Sequence, residues 1–378
     1  MEYAYKAAQT EEFKQAAQNK HPYDWSIHKS RFDRVLKRKV GLTGKHRQAD
    51  RWDREPYLVS NVRDSDIPVY EVKLETASAD MELVKKTDDQ GNIITFKRYH
   101  GRPFNKEIPG NVGDQLEKVA SLPCKPDDVL LCTFPKSGTH WVFNMTRMIQ
   151  TKTLQYTSNP MMLEFEDVGR LDNVKSPRLF HTHLTYPFIP KAAKEGQLKL
   201  IYVIRNPKDV VCSFYKYMSQ LQSTSYIGNF NGFLKAFLTE EAISSGGSWF
   251  THTREWNSAV CENPDLKILV LRYECLKKNL YPNLLKIANF LEVNHDKTFL
   301  RNVERTVSFE NLKKEHETKA GENELWGHLA DKGRLPIYNK GIVGNWKNEF
   351  TVAQSKAFDA VYKEKMCDMG VNLEFDYE

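Results

Sequence analysis

Three short apolar runs frame the chain: Val129–Thr133, 198–204 and 266–271. None shows the alternation of a half-solvated strand. Unbroken apolar runs of this length predict strands covered on both faces, as in a parallel sheet. Between or after them, apolar positions recur with helical spacing over 140–150, 207–220, 230–242, 248–260 and 280–291. This alternation predicts an α/β fold: a central parallel sheet flanked by helices, joined by right-handed crossovers. Ligands bind such sheets at the carboxyl ends of the strands. Each run leads there into polar residues: Lys136 after the first, Arg205 after the second, Arg272-Tyr273 after the third.

The first part of the chain reads differently. Residues 11–18 have a helical pattern, and a basic stretch follows from Lys29 through Arg31, Arg34, Lys37, Arg38, Lys39, Lys45 and Arg47 to Arg51. Such a run marks either a membrane or nucleic-acid contact or, as we favour, a solvated arm. Trp25, Phe32, Val35, Leu36, Trp52 and Tyr57 are interspersed with it. The expected organisation is therefore an extension over 1–94, partly packed on a main domain over 95–378.

Composition narrows the class. The chain has 378 residues, 40% hydrophobic and 28% charged, with net charge +6. That balance suits electrostatic steering of an anionic ligand and does not demand nucleic acid. No apolar run is long enough to predict an integral membrane segment. The N-terminus, Met1-Glu2-Tyr3-Ala4-Tyr5-Lys6, lacks the apolar core of a secretory signal. The six cysteines are scattered without a C-x-x-C pair. They are expected to be reduced thiols in a cytoplasmic protein, with neither a disulfide framework nor a zinc site.

The candidate chemistry starts at Thr133-Phe134-Pro135-Lys136-Ser137-Gly138-Thr139-His140-Trp141, between the first strand and its helix. Strand, tight polar loop and helix form a phosphate cradle: N–H groups at the helix start and the helix dipole both favour an anion. Lys136 adds a cation, Ser137 and Thr139 add hydroxyls, and Gly138 admits close approach. The loop is P-loop-like, yet it lacks the leading glycine and the G-K-[ST] order of nucleotide triphosphate sites. A plain polar turn is the alternative for this segment alone.

Other segments carry matching chemistry. Arg205 ends the second strand in Tyr202-Val203-Ile204-Arg205-Asn206-Pro207-Lys208-Asp209-Val210-Val211-Cys212-Ser213. It can grip a second phosphate bidentately, with Ser213 two helical turns on; an Arg205–Asp209 surface pair is the rival. His181 and His183 share one face of a strand end in Arg178-Leu179-Phe180-His181-Thr182-His183-Leu184. A general base, a metal ligand pair and a structural histidine are all open, and the base is favoured. Near the C-terminus, Asn339-Lys340-Gly341-Ile342-Val343-Gly344-Asn345-Trp346-Lys347 offers a cation and two glycines for another phosphate oxygen.

Together these segments resemble the cytosolic sulfotransferase family over about Thr95 to the C-terminus. The T-F-P-K-S-G-T-x-W loop, the Y-V-x-R-N-x-K-D-V-x-x-S segment and the K-G-x-x-G-x-W-K-x-x-F-T segment occur in the family's order, and Gly247-Ser248-Trp249-Phe250 and Glu255-Trp256 are similar too. The resemblance implies PAPS (3′-phosphoadenosine 5′-phosphosulfate) as donor, PAP as product and no metal. It implies that Lys136, Ser137, Gly138, Thr139, His140 and Trp141 hold the 5′-phosphosulfate, with Trp141 on adenine. Arg205, Ser213, Lys340 and Gly341 would hold the 3′-phosphate, and Tyr273, Ser308 and Phe309 the adenine side. His183 matches the catalytic base, and Lys136 would stabilise the leaving oxygen. The acceptor is expected to be a small lipophilic hydroxyl or amine compound, in a pocket lined by Met162, Phe165, Tyr215 and Tyr217 with His181 beside the base.

The chain also departs from the family. His181 stands where Lys is usual, His140 where Thr is usual, Val307 begins the T-S-F segment, and Asn339 stands for Arg. In the family's dimer motif, Lys347, Thr351 and Val352 are followed by Lys356 in place of an acid, so a homodimer would rest on an altered motif. The basic N-terminal extension is longer than usual. A P-loop kinase and an anion-binding protein without turnover are the competing readings; the loop order argues against the first, and His183 with Lys136 against the second.

Overall fold

A computed structural model describes residues 57–63, 69–74, 81–88, 91–171, 173–221, 228–240, 245–318 and 336–375. The helix expected at 11–18 and the basic stretch from Lys29 to Arg51 lie outside the described residues. The chain forms two compact units, Met1–Asp80 and Met81–Glu378. In the first, β1 (Tyr57–Arg63) and β2 (Val69–Leu74) pair as an antiparallel hairpin.

The second unit opens with an antiparallel sheet of β3 (Met81–Thr87), β4 (Ile93–Tyr99) and β5 (Arg102–Phe104). The boundary expected at 94 falls inside β4, whose Ile94 and Phe96 point into the core while Ile93 is exposed. The helix α1 (Val112–Ala120) follows, its N–H of Gly113 capped by Asn111 Oδ1.

The central sheet is parallel, in the order β7 (Leu179–Thr182), β6 (Val129–Thr133), β8 (Lys199–Ile204), β9 (Ile268–Arg272). All five residues of β6 are buried, which is why its sequence shows no alternation. Period two is still present in the packing. Leu130, Cys132, Leu200 and Tyr202 join one core with Phe134, Val210, Trp249 and Phe358. Val129, Leu131, Ile201 and Val203 join the other with Val142, Met145, Leu284 and Val303. The first face is covered by α3 (Pro207–Met218), α4 (Phe230–Leu238), α5 (Trp249–Glu262) and α10 (Val352–Lys365). The second is covered by α2 (Thr139–Thr151), α7 (Leu280–Phe290), α8 (Lys297–Thr306) and α9 (Phe309–Thr318). Between β9 and α7 lies α6 (Tyr273–Lys278).

Register brings the chemistry together. Cys132 pairs with Thr182, Thr133 with Val203, and Ile204 with Arg272. The loop after β6, His183 after β7, Arg205 after β8 and Tyr273 after β9 therefore emerge at one sheet edge. At the opposite edge, Asp128 and Arg178 form a fully buried two-point pair, Nε to Oδ1 2.8 Å and Nη2 to Oδ2 2.5 Å.

Candidate active site

At this edge lies a cavity of about 250 Å3 lined by, among others, Lys136, His183, Arg205, Ser213, Tyr273 and Lys340. Lys136 (φ +66°) and Gly138 (φ +98°), on either side of Ser137, adopt the left-handed region. Turns of this kind gather successive N–H groups on a concave side. For Lys136 that backbone is strained by about 1–2 kcal/mol; for Gly138 it is not. A Cβ at Gly138 would stand 2.7 Å from Tyr273 Cδ2, so this backbone approaches the ring as only glycine can. Ser137 is fully buried and its Oγ has no partner among the described residues.

Positive charge is stacked behind the loop. Arg205 donates to the Lys136 carbonyl at 2.8 Å, and its guanidinium lies 4.2 Å over the Tyr273 ring. Its Nε is buried without a partner. Lys136 Nζ sits 4.1 Å from the Tyr217 ring centroid. Burial, then the nearby Arg205 charge, depresses the Lys136 amine to about 7. Orphaned donors beside two neighbouring cations fit a phosphate-bearing ligand. Beside them is an aromatic slot: Trp141 meets Tyr273 edge-on at 5.6 Å and anchors its Nε1–H on the Val307 carbonyl at 2.9 Å, and Phe309 and Tyr338 also line the cavity.

The C-terminal segment closes over this end. Asp209 accepts from the Gly344 N–H at 2.7 Å and the Trp346 N–H at 2.9 Å. The Arg205–Asp209 pair that rivalled a phosphate role in the sequence is thereby replaced by a loop anchor. Lys340 Nζ rests on Asn345 Oδ1 at 2.9 Å, and Gly341 (φ +65°) packs its backbone on the Phe309 ring.

At the other end, His183 Nδ1 is 2.7 Å from the Thr133 carbonyl. A carbonyl only accepts, so Nδ1 carries the proton and Nε2 keeps the lone pair. Thr133 Oγ1 lies 3.1 Å from the same Nδ1 and 2.7 Å from Thr139 Oγ1. Burial lowers His183 to about 4; the Thr133 carbonyl opposes this, and Lys136 adds to it. Burial likewise takes His181 well below its usual value, and lowers His140 to about 3 with help from Lys136, His316 and His183. The His181 ring stands 5.7 Å from His183 and 6.2 Å from His140. Among the described residues no group of three or more His, Cys, Asp or Glu side chains is disposed to hold a metal.

Met162, Phe165, His181 and Tyr217 line the cavity near His183. Tyr215 points elsewhere: its hydroxyl donates to the Gly228 carbonyl at 3.2 Å, and its ring packs on Phe230 and Phe233. It lies about half a turn from the wall, because Ser213 and Tyr217, four residues apart, share the inner face of α3. Ser308 is also off the wall and caps α9 through the Asn311 N–H at 3.3 Å. Sequence reasoning missed Thr133 as a partner of His183, Asn105 and Glu107 from the antiparallel layer, Lys277, and Glu164. The signal for Glu164 was an acid inside the run Met161-Met162-Leu163-Glu164-Phe165. Burial raises that carboxyl to about 7 against the hydrogen bonds it accepts, the His183 N–H first.

A sequence profile of the sulfotransferase domain matches residues 126–370. Mouse sulfotransferase 1B1 is 35% identical over 300 residues, spanning 74% of this chain and 94% of the mouse protein. Rabbit amine sulfotransferase is 33% identical over 273 residues, 69% of this chain and 88% of the relative. The crystal structure of mouse sulfotransferase SULT7A1 complexed with PAP superposes with a TM-score of 0.58 at 28% identity, covering 72% of this chain and 94% of that one. The chain belongs to the cytosolic sulfotransferase family, and it is a sulfotransferase enzyme. No helix among the described residues is long and apolar enough to cross a membrane.

Proposed function

We propose that the chain transfers the sulfonate of PAPS to a hydroxyl or amine of a small lipophilic acceptor, with His183 as general base, and that it works in the cytoplasm, where its free cysteines stay reduced. When bound, PAPS supplies an activated sulfonate. Its 5′-phosphosulfate fits the loop Lys136–Thr139 and the orphaned Ser137 Oγ. Arg205, Ser213, Lys340 and Gly341 are grouped to take the 3′-phosphate, and Trp141, Tyr273 and Phe309 to take the adenine. Mouse SULT7A1 holding PAP supports this reading.

The observation that carries it is the Thr133 carbonyl on His183 Nδ1, which fixes the basic Nε2 lone pair on a ring lining the same cavity as the loop. With its conjugate acid depressed to about 4, His183 is neutral at pH 7 and free to accept a proton. In the transfer, the acceptor oxygen or nitrogen bonds to sulfur while Nε2 takes its proton. The sulfur–oxygen bond to the nucleotide would break with its electron pair leaving on PAP, and Lys136 is the residue that would meet the charge there. The apolar walls at Met162, Phe165, Phe214 and Met218 suit a lipophilic acceptor.

The test is transfer from radiolabelled PAPS to panels of phenols, sterols, amines and sugars, alongside titrations with PAP and ATP. Labelled phenol, sterol or amine product with PAP-selective binding is expected. ATP binding with no labelled product would overturn the assignment.

A further inference from the structure

Glu164 has no place in the donor site, yet it is fully buried at the foot of the base. Its Oε1 accepts the backbone N–H of His183 at 2.8 Å, and its Oε2 accepts the Thr182 hydroxyl at 2.8 Å. Thr182 Oγ1 in turn accepts the Leu184 N–H at 3.0 Å. One carboxylate thus holds Thr182 and His183 directly, and Leu184 through the Thr182 hydroxyl, at the point where β7 ends and the chain turns.

Its neighbours in sequence, Met162 and Phe165, line the cavity. Met162 and His181 form a parallel bridge, with His181 N–H on the Met161 carbonyl at 2.9 Å and Leu163 N–H on the His181 carbonyl at 3.0 Å. Residues 161–163 therefore pair with β7 at a single bridge before the chain turns at 163–165, and Met162 faces the cavity. A buried carboxylate held only by neutral donors is expensive to keep when an apolar side chain would pack in its place. Its hydrogen bonds here go to the His183 N–H and to the hydroxyls of Thr182 and Ser245.

We infer that Glu164 is the positioning residue of the transfer, fixing the His183 ring relative to the acceptor wall. The inference rests on His183 as the base. Glu164 touches no substrate: it sets the origin of the His183 side chain while the Thr133 carbonyl sets its rotation. One anchor on the His183 backbone and one on its ring together restrict Nε2, and small displacements of a catalytic group are costly in rate.

Glu164→Gln keeps the size and an acceptor for the His183 N–H but presents an amide to Thr182. Thr182→Val removes the other leg at the same shape. The readouts are kcat, acceptor KM, PAP Kd and Tm, with His183→Ala in parallel. Glu164→Gln is expected to lower kcat by about tenfold to a hundredfold, leaving PAP Kd within about twofold. Thr182→Val is expected to move kcat the same way by about threefold. Unchanged kcat in a folded Glu164→Gln protein overturns the inference, as does a loss of PAP binding that matches the loss of rate. If Glu164→Gln does not fold, Thr182→Val decides: full kcat there overturns the inference. Retained turnover in His183→Ala would instead refute the base, independently of the Glu164 result.

Discussion

Thr133 holds His183 and the anion loop at once: its carbonyl takes the His183 Nδ1 proton at 2.7 Å, and its hydroxyl lies 2.7 Å from that of Thr139. The base and the donor cradle are thus built on one strand-end residue. His183→Ala should lower kcat by about 10²–10⁴ while PAP Kd, measured by calorimetry, stays unchanged. Thr133→Val spares the carbonyl and removes the hydroxyl. It should lower kcat only a few-fold and weaken PAP binding, because Thr139 loses its partner. A Thr133→Val protein with wild-type PAP affinity would show that the hydroxyl bridge does not support the loop.

Lys136 makes donor binding pH-dependent. Burial and Arg205 hold its amine at about 7 without ligand, and a phosphate beside it favours the charged form. Between about pH 7 and 9 the free protein has lost this proton and the complex retains it. PAP affinity should therefore fall as pH rises, by up to about tenfold per unit. Calorimetry in buffers of different ionisation enthalpy at pH 8 should record proton uptake on binding. Lys136→Arg should flatten the profile. A Kd constant from pH 7 to 9 in the wild type would contradict the depressed amine.

Gly138 tests the loop geometry separately from its charges. A methyl there meets Tyr273 Cδ2 at 2.7 Å and a backbone at φ +98°. Gly138→Ala should weaken PAP binding by more than about tenfold, because strain of about 1–3 kcal/mol is relieved only by opening the turn. Tyr273→Leu in the same background should restore part of the affinity by freeing space. Thermal stability should fall by a few degrees, about 2–4 °C per kcal/mol of strain.

The legible part of this chain was its buried strands and its loop chemistry. Val129–Thr133 is apolar throughout because both faces are covered, and the residues after the strands were visible as Lys136, Arg205 and Tyr273. Helices with thin apolar stripes escaped notice: α8 buries only Leu300 and Val303. Strand β4 was hidden by its polar residues Thr95, Lys97 and Arg98 and by the exposed Ile93, although the second unit begins at Met81. Tyr215 and Tyr217 were indistinguishable in sequence, since only the rotation of α3 decides which faces the cavity. Glu164 and Asp209 were illegible for another reason. Both serve backbone N–H groups, on His183 and on Gly344 and Trp346, and a partner that is backbone leaves no trace in residue type.

The buried histidines predict acid sensitivity. Burial lowers His140 and His252 to about 3, His183 to about 4, and His181 well below its usual value. The unfolded chain binds protons at these groups below about pH 6.5 while the folded chain does not. Their stabilisation is present above that pH and is lost as pH falls toward 3–4, at about 1.4 kcal/mol per unit for each group. Glu164, raised to about 7, runs the other way, since the folded state takes its proton first. Glu166 and Glu274, also raised by burial, act with Glu164, so stability from urea denaturation should drop between pH 6 and 5 by about 1–4 kcal/mol. His252 offers the sharpest check, because both of its ring nitrogens are buried without partners among Phe134, Tyr202 and Trp256. His252→Leu should be neutral or stabilising by about 1 kcal/mol at pH 7. It should also reduce the acid slope by about 1.4 kcal/mol per unit. A variant with the wild-type slope would mean that His252 is not held neutral in the fold.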